Sequence, residues 1–185
     1  MAEVRIKGVS FIHMNDFLRQ EFEEAGHAKV VAALKPDVAK TLASAFGHEW
    51  YPFAHMVDVE RAVAQAHFGG DATQIERFGF YDGTRQVGTI YRFLLRLLEP
   101  AFLLKQGNKI WRSYMNCGDL ATESTGPRSC LVRLSGYDPL DRTHCFENVG
   151  AFKASLMVCG SKTPKVEHVE CRLEGKPACV YHASW

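Results

Sequence analysis

The chain has 185 residues, 46% of them hydrophobic, and 22 basic side chains against 21 acidic ones, a net charge of +1. That length and apolar content suit one domain around one core. The charge balance excludes nucleic-acid binding driven by bulk charge. No apolar run of about 18 residues is present, which excludes a membrane-spanning helix.

The start, MAEVRIKGVSF, lacks the apolar stretch of a secretory leader, so a cytoplasmic protein with reduced thiols is expected. Residues 4–12, VRIKGVSFI, read as a strand. Asn15 or Asp16 is placed to cap a following helix, whose apolar stripe is Phe17, Leu18 and Phe22. Gly26 ends or bends that helix, and AKVVAAL continues it to Lys35-Pro36. Pro36 opens a short helix running through Phe46 and stopped by Gly47. Trp50-Tyr51-Pro52 reads as a rigid corner, and 53–68 as a helix stopped by Gly69-Gly70. Asp71 with Gln74 resembles a capping box for a helix to about Tyr81, broken by Asp82-Gly83. VGTIYRFLLRLL is apolar and helical, and Pro100 opens another helix carrying Phe102, Leu103, Ile110, Trp111 and Tyr114.

The texture changes at Asn116-Cys117-Gly118. DLATEST and SCLVRLSGYD read as two strands, with Cys130, Val132 and Leu134 alternating. Asp141 or Thr143 caps a helix from about Cys145 to Val158, closed by Gly160. A hairpin of about 164–173 and 178–184 ends the chain, turning at 174–177. The order predicts an α+β domain, an antiparallel sheet under a helical layer. It forms one unit over 1–185, helical over about 13–115 and strand–helix–hairpin over about 116–185.

The closing segment VEHVECRLEGKPACVYHASW concentrates soft ligands. Cys171 and Cys179 flank its turn, and they face one another only if the turn register allows it. His168 and Cys171 are three apart, so a regular strand points them to opposite faces. A bulge or bend is needed to bring them together. Cys145 and Cys159 sit fourteen residues apart on one helix, about 21 Å at about 1.5 Å per residue, so they cannot share an ion. Cys145 is favoured, because the positive end of the helix dipole stabilises its thiolate. A three-cysteine, one-histidine site and ordinary buried thiols both satisfy these spacings.

His48 and His55 near the aromatic corner, and Glu60 with His67, match no metal spacing and read as structural or surface groups. No nucleophile, phosphate-loop or dinucleotide motif is present. Arg85, Arg92, Arg96, Lys105, Lys109 and Arg112 are mixed with Tyr91, Phe93, Phe102 and Trp111, a pattern that suits either a phosphate or membrane-surface patch or, favoured here, basic side chains snorkelling over an apolar helical pair.

The closing hairpin resembles that of the vinyl-4-reductase type domain: a cysteine, seven residues including a glycine, then a cysteine. Here these are Cys171, Gly175 and Cys179. In phenol-sensing members of that class the cysteine pair binds zinc. A carboxylate three residues before the pair and a cysteine twenty-six before complete the set. This chain has Cys145 at the second position and His168 at the first, with Glu167 and Glu170 beside it. GHAKVVAALKPD, WYPFAHMVDVERAVAQAHFGG and GTIYRFLLRLLEPAFLLKQGNKIWRSYMNCGDL are similar to a family of stand-alone proteins abundant as paralogues in myxobacteria. The wider superfamily is the nitric-oxide-signalling and Golgi-transport ligand-binding fold, which includes the TRAPP trafficking subunits.

The resemblance implies a TRAPP-like α+β domain, dimerisation and an apolar pocket between helices and sheet. It also implies a structural zinc site of Cys145, His168, Cys171 and Cys179. The expected function is that of a non-enzymatic sensory domain for an apolar or aromatic molecule. Trp111, Tyr114, Val149 and Phe152 are the expected lining. A protein-interaction scaffold is the alternative, and a reductase-like enzyme a third reading. Heme is not expected, because no axial-ligand context is evident.

Overall fold

A computed structural model describes residues 3–86 and 106–185. The helix expected at 87–98, the start of the one opened by Pro100, and Tyr91, Arg92, Phe93, Arg96, Phe102, Leu103 and Lys105 lie outside the described residues.

Strand β1 (Arg5–Lys7) is much shorter than the 4–12 run suggested, and helix α1 (Gly8–Ala33) follows at once. The helical spacing of buried Phe11, Met14, Phe17 and Leu18 overrides the weak alternation before it. Asn15 and Asp16 therefore lie inside α1 and cap nothing; Asn15 Oδ1 instead meets His27 Nε2 at 2.6 Å. The bend falls at Glu23 (φ 58°) and not at Gly26. Gly26 is small because the helix passes Phe22 and His67 there.

Helix α2 (Pro36–Ser44) leads to β2 (Trp50–Pro52), which pairs antiparallel with β1, so the aromatic corner is a short strand. Helix α3 (Phe53–Phe68) ends on Gly69 in the left-handed conformation (φ 60°), which an L side chain resists. Asp71 caps a 3₁₀ turn, Ala72–Ile75, by accepting from the Thr73 N–H at 2.9 Å. Helix α4 (Glu76–Arg85) then runs straight through Asp82-Gly83, the expected break. Its glycines serve packing: a Cβ on Gly79 would lie 1.9 Å from the Glu147 carbonyl oxygen.

Helix α5 (Gly107–Tyr114) carries Ile110, Trp111 and Tyr114. Strands β3 (Asp119–Gly126) and β4 (Ser129–Ser135) form a hairpin. Helix α6 (Arg142–Val158) starts three residues before Cys145, capped by Asp141 through the Thr143 N–H at 2.9 Å. Strands β5 (Lys165–Glu170) and β6 (Cys179–Ser184) close the chain around a 3₁₀ turn, Arg172–Glu174, and Gly175 (φ 81°).

The antiparallel sheet has the order β3-β4-β6-β5, with α6 packed between it and α4. One cluster of buried apolar side chains joins Phe11, Phe17 and Phe53 of the helices to Val132, Leu134 and Tyr181 of the sheet. The α4–α6 crossing brings backbone against backbone. At Gly150 a Cβ would lie 2.0 Å from the Glu76 carbonyl oxygen. This close approach sets Asp82 of α4 beside the first turns of α6.

Candidate functional site

The first turns of α6 divide their side chains between two places. Cys145 faces the closing hairpin, and His144 and Glu147 face a cavity on the other side.

On the hairpin side, ligand atoms of Cys145, His168, Cys171 and Cys179 all lie within 4.8 Å of one another. The β5–β6 register slips between His168, opposite Tyr181, and Glu170, opposite Val180. That bulge at Val169 turns His168 and Cys171 to the same side, as their three-residue spacing requires. The Cys145 and Cys171 sulfurs are 4.0 Å apart, far beyond the ~2.05 Å of a disulfide. All six cysteines are free. The separation is close to the ~3.8 Å edge of a tetrahedron with ~2.3 Å metal–sulfur bonds. His168 stacks on Tyr181 (4.7 Å between ring centres), and its Nε2 is buried without a partner among the described residues. The Cys179 thiol is pulled down to about 4, because the Cys145 S–H donates to it and His168 adds to the effect. The same bond, with burial, pushes Cys145 up. Cys159, at the far end of α6, lies outside the group.

On the other side, a cavity of about 360 Å³ opens between α1, α4, α5, α6 and the sheet. Trp111, Tyr114 and Phe152 line it, with Ile6, Leu120 and Val132; Val149 does not, being buried in the core. Trp111 is oriented by its Nε1–H, which donates to the Cys117 carbonyl at 2.8 Å, and by Tyr137 (5.3 Å between ring centres). Phe152 stands edge-on to Tyr181.

The cavity has one strongly polar pole. His144 Nδ1 meets Glu60 Oε1 at 3.0 Å, and Glu147 Oε2 lies 3.6 Å away. Thr143 Oγ1 donates to the second Glu60 oxygen at 3.1 Å, and Asn148 holds the His144 carbonyl at 2.8 Å. The ring is gripped edge-on by Phe53 and Tyr137. Its Nε2 is buried and has no partner among the described residues. Burial works against charge on His144, but Glu60 and then Glu147 overcome it and push its pKa up to about 9. Burial pushes the Glu147 carboxyl up to about 8. Asp82, fully buried, is also raised by burial, against the opposing pull of His13 at 2.5 Å and of Gln86.

Sequence reasoning missed this pole. Glu60 read as a surface or structural group, yet it stands in the apolar stripe Met56, Glu60, Val63, Ala64 of α3. A carboxylate at a core position is the signal that marks it. By contrast His48 is exposed, His55 meets Thr41, and His67 stacks on Phe22 at 3.8 Å.

No family model matches the chain, and no curated protein matches it. Solved structures do. An unliganded Fe(II) H-NOX protein from K. algicida superposes with a TM-score of 0.71 at 12% identity, over 97% of this chain and 96% of that one. An H-NOX protein from S. oneidensis in the Fe(II)NO state gives 0.73 at 13% identity, over 97% and 98%. The NMR structure of the SO2144 H-NOX domain from Shewanella oneidensis, in the Fe(II)CO state, gives 0.69 at 14% identity, over 97% and 98%. The α+β architecture of sheet and helical layer is thus the H-NOX fold.

One expectation is corrected by these structures. The sequence offers no evident axial-ligand context for heme, but the proteins sharing the fold carry Fe(II), and two similar structures are described through heme redox potential and heme distortion. None of the structures named here is described with zinc, so a metal at the hairpin rests on this chain's own residues. Among the described residues, no helix is long and apolar enough to cross a membrane.

Proposed function

We propose that the chain is one non-catalytic, sensory domain that binds a small apolar or aromatic molecule in the cavity, with its closing hairpin held to α6 by a soft metal ion. The observation that carries this reading is the two-sided first turns of α6, with a four-donor cluster on one side and a largely apolar cavity on the other. Three sulfurs and one imidazole at near-tetrahedral separations suit a structural ion such as zinc. Four protein donors leave no open position for a substrate, so the ion's role is to pin the hairpin. The cysteine spacing that resembles the vinyl-4-reductase hairpin supports the same assignment, and with it a homodimer. Native mass spectrometry of chelator-free protein tests all three parts. One zinc per chain, a dimer and retained small-molecule mass are the expected results; a metal-free, ligand-free, folded monomer refutes them.

A second reading is favoured by one specific observation. His144 presents a buried, unpartnered Nε2 to the cavity while Nδ1 is held by the Glu60 carboxylate. This is how metal-binding histidines are commonly oriented. The residues present therefore fit an axial imidazole, and His144 would hold a heme iron through Nε2. Bound there, heme would supply a centre responsive to diatomic gases and redox state. Titration with hemin tests this: a sharp Soret band lost in His144→Gly supports it, and an unchanged free-hemin spectrum rules it out.

A further inference from the structure

We infer that the cavity selects planar aromatic molecules that bring a ring N–H donor, with Asn148 Oδ1 as the acceptor that fixes them. This rests on the first functional reading, that the cavity binds a small molecule.

Helix α6 turns one face to the cavity, carrying His144, Asn148, Ala151, Phe152 and Ser155 at helical spacing. Asn148 is 3% exposed, so its carboxamide is cut off from bulk water. Its nitrogen is committed: Nδ2 donates to the His144 carbonyl at 2.8 Å. The opposite assignment would set two oxygens against one another at that distance, so the free atom is Oδ1. Oδ1 accepts no hydrogen bond among the described residues. Ser155, two turns further on, cannot supply one, because its hydroxyl donates to the Ala151 carbonyl at 2.9 Å. Buried amide oxygens are rarely left without a donor, and the side of Asn148 that remains open is the cavity.

The rest of the lining narrows the chemistry. Asp82 and Glu147 share the cavity, and a carboxyl group offers an accepting oxygen whether ionised or not. A ligand carbonyl at Asn148 would set acceptor against acceptor. A hydroxyl brings a hydrogen but also lone pairs that need donors of their own. A ring N–H brings the hydrogen alone. Neither an asparagine amide nor a ring N–H titrates near neutral pH, so the pair is the same across the physiological range. Trp111, Tyr114 and Phe152 offer flat walls to the aromatic body.

The test uses the full chain and three bicyclic molecules of nearly one shape: indole, with the N–H; indene, with a CH₂ in its place; and benzofuran, with an oxygen there. Indene and benzofuran leave water more readily than indole, so without a hydrogen bond they should bind tighter. Calorimetric titration should show the reverse order. In Asn148→Leu, close in volume but without an acceptor, the ratio of indole to indene affinity should fall about tenfold, with indene still bound. NMR of the wild type should show a nuclear Overhauser contact between bound indole H1 and the Asn148 β-protons, a readout that needs no variant. Indole binding weakest in the wild type, a ratio unchanged by Asn148→Leu, or an indole N–H remote from Asn148 overturns the inference and leaves the cavity reading standing. No binding by any of the three overturns the cavity reading as well.

Discussion

Replacing Cys179 with serine tests directly the proposal of a metal ion at the hairpin. Cys179 is fully buried at the start of β6, opposite Leu134 of β4. A hydroxyl buried there without a partner costs about 1–3 kcal/mol in itself. Cys130 supplies the control, because it is buried in the neighbouring strand and belongs to no donor cluster. Cys130→Ser should therefore show the burial penalty alone. Loss of a structural ion belongs to the largest class of single-site effects, above about 4 kcal/mol. A chain of this size loses about 2–4 °C of Tm per kcal/mol. Cys179→Ser should thus melt roughly 6–12 °C below Cys130→Ser, for a difference of about 3 kcal/mol. Differential scanning fluorimetry without chelator reads the difference, and elemental analysis reads the metal. Chelator should lower the wild type towards Cys179→Ser and leave that variant unmoved. If the two serine variants melt together and chelator shifts neither the wild type nor the variants, the donor cluster is a set of ordinary buried thiols.

Three further outcomes follow from the same structure. Gly150→Val drives new carbon atoms against the Glu76 carbonyl oxygen, 2.0 Å from where its Cβ would stand, so the α4–α6 crossing should open at a loss of at least about 3 kcal/mol, read by urea unfolding. Glu60→Ala strips the buried partner from His144 and should cost about 3–5 kcal/mol, whereas Glu49→Ala on the exposed surface should cost almost nothing. Between their ordinary values of 4.5 and 6.5 and their folded values of about 8 and about 9, Glu147 and His144 hold more protons folded than unfolded. Stability should therefore fall as pH rises from 7 to 9.5, with the His144 contribution complete below 6.5 and lost through about 9. Glu147→Gln, fixed in the neutral form, should flatten the slope; a Tm that is constant from pH 7 to 9.5 in the wild type would contradict the assignment.

Much of the architecture was written locally. Helix 53–68 was legible because its apolar spacing and its glycine stop lie within the segment itself. The hairpins were legible for the same reason, since turn residues and alternation act over a few positions. The four residues of the donor cluster could be named from spacing and resemblance, as candidates. Whether they converge depended on a one-residue bulge at Val169, which no residue type announces. Asp82-Gly83 looked like a helix end, because both residues disfavour helix; packing against Ala151 and Ala154 of α6 and the pair with His13 keep α4 helical there.

The cavity's polar pole belonged to tertiary structure alone. Glu60 and His144 are 84 positions apart and meet only because α3 and α6 pack on a common core. Val149 and Phe152 show the same limit: both sit on the helix that faces the sheet, but only the second reaches the cavity. Amino-acid order by itself determined the helix over 53–68, the caps at Asp71 and Asp141 and the turns of the hairpins, since those depend on neighbours in sequence. The direction each side chain takes across the domain was decided by how closely α4 and α6 approach, an approach that Gly79 and Gly150 permit.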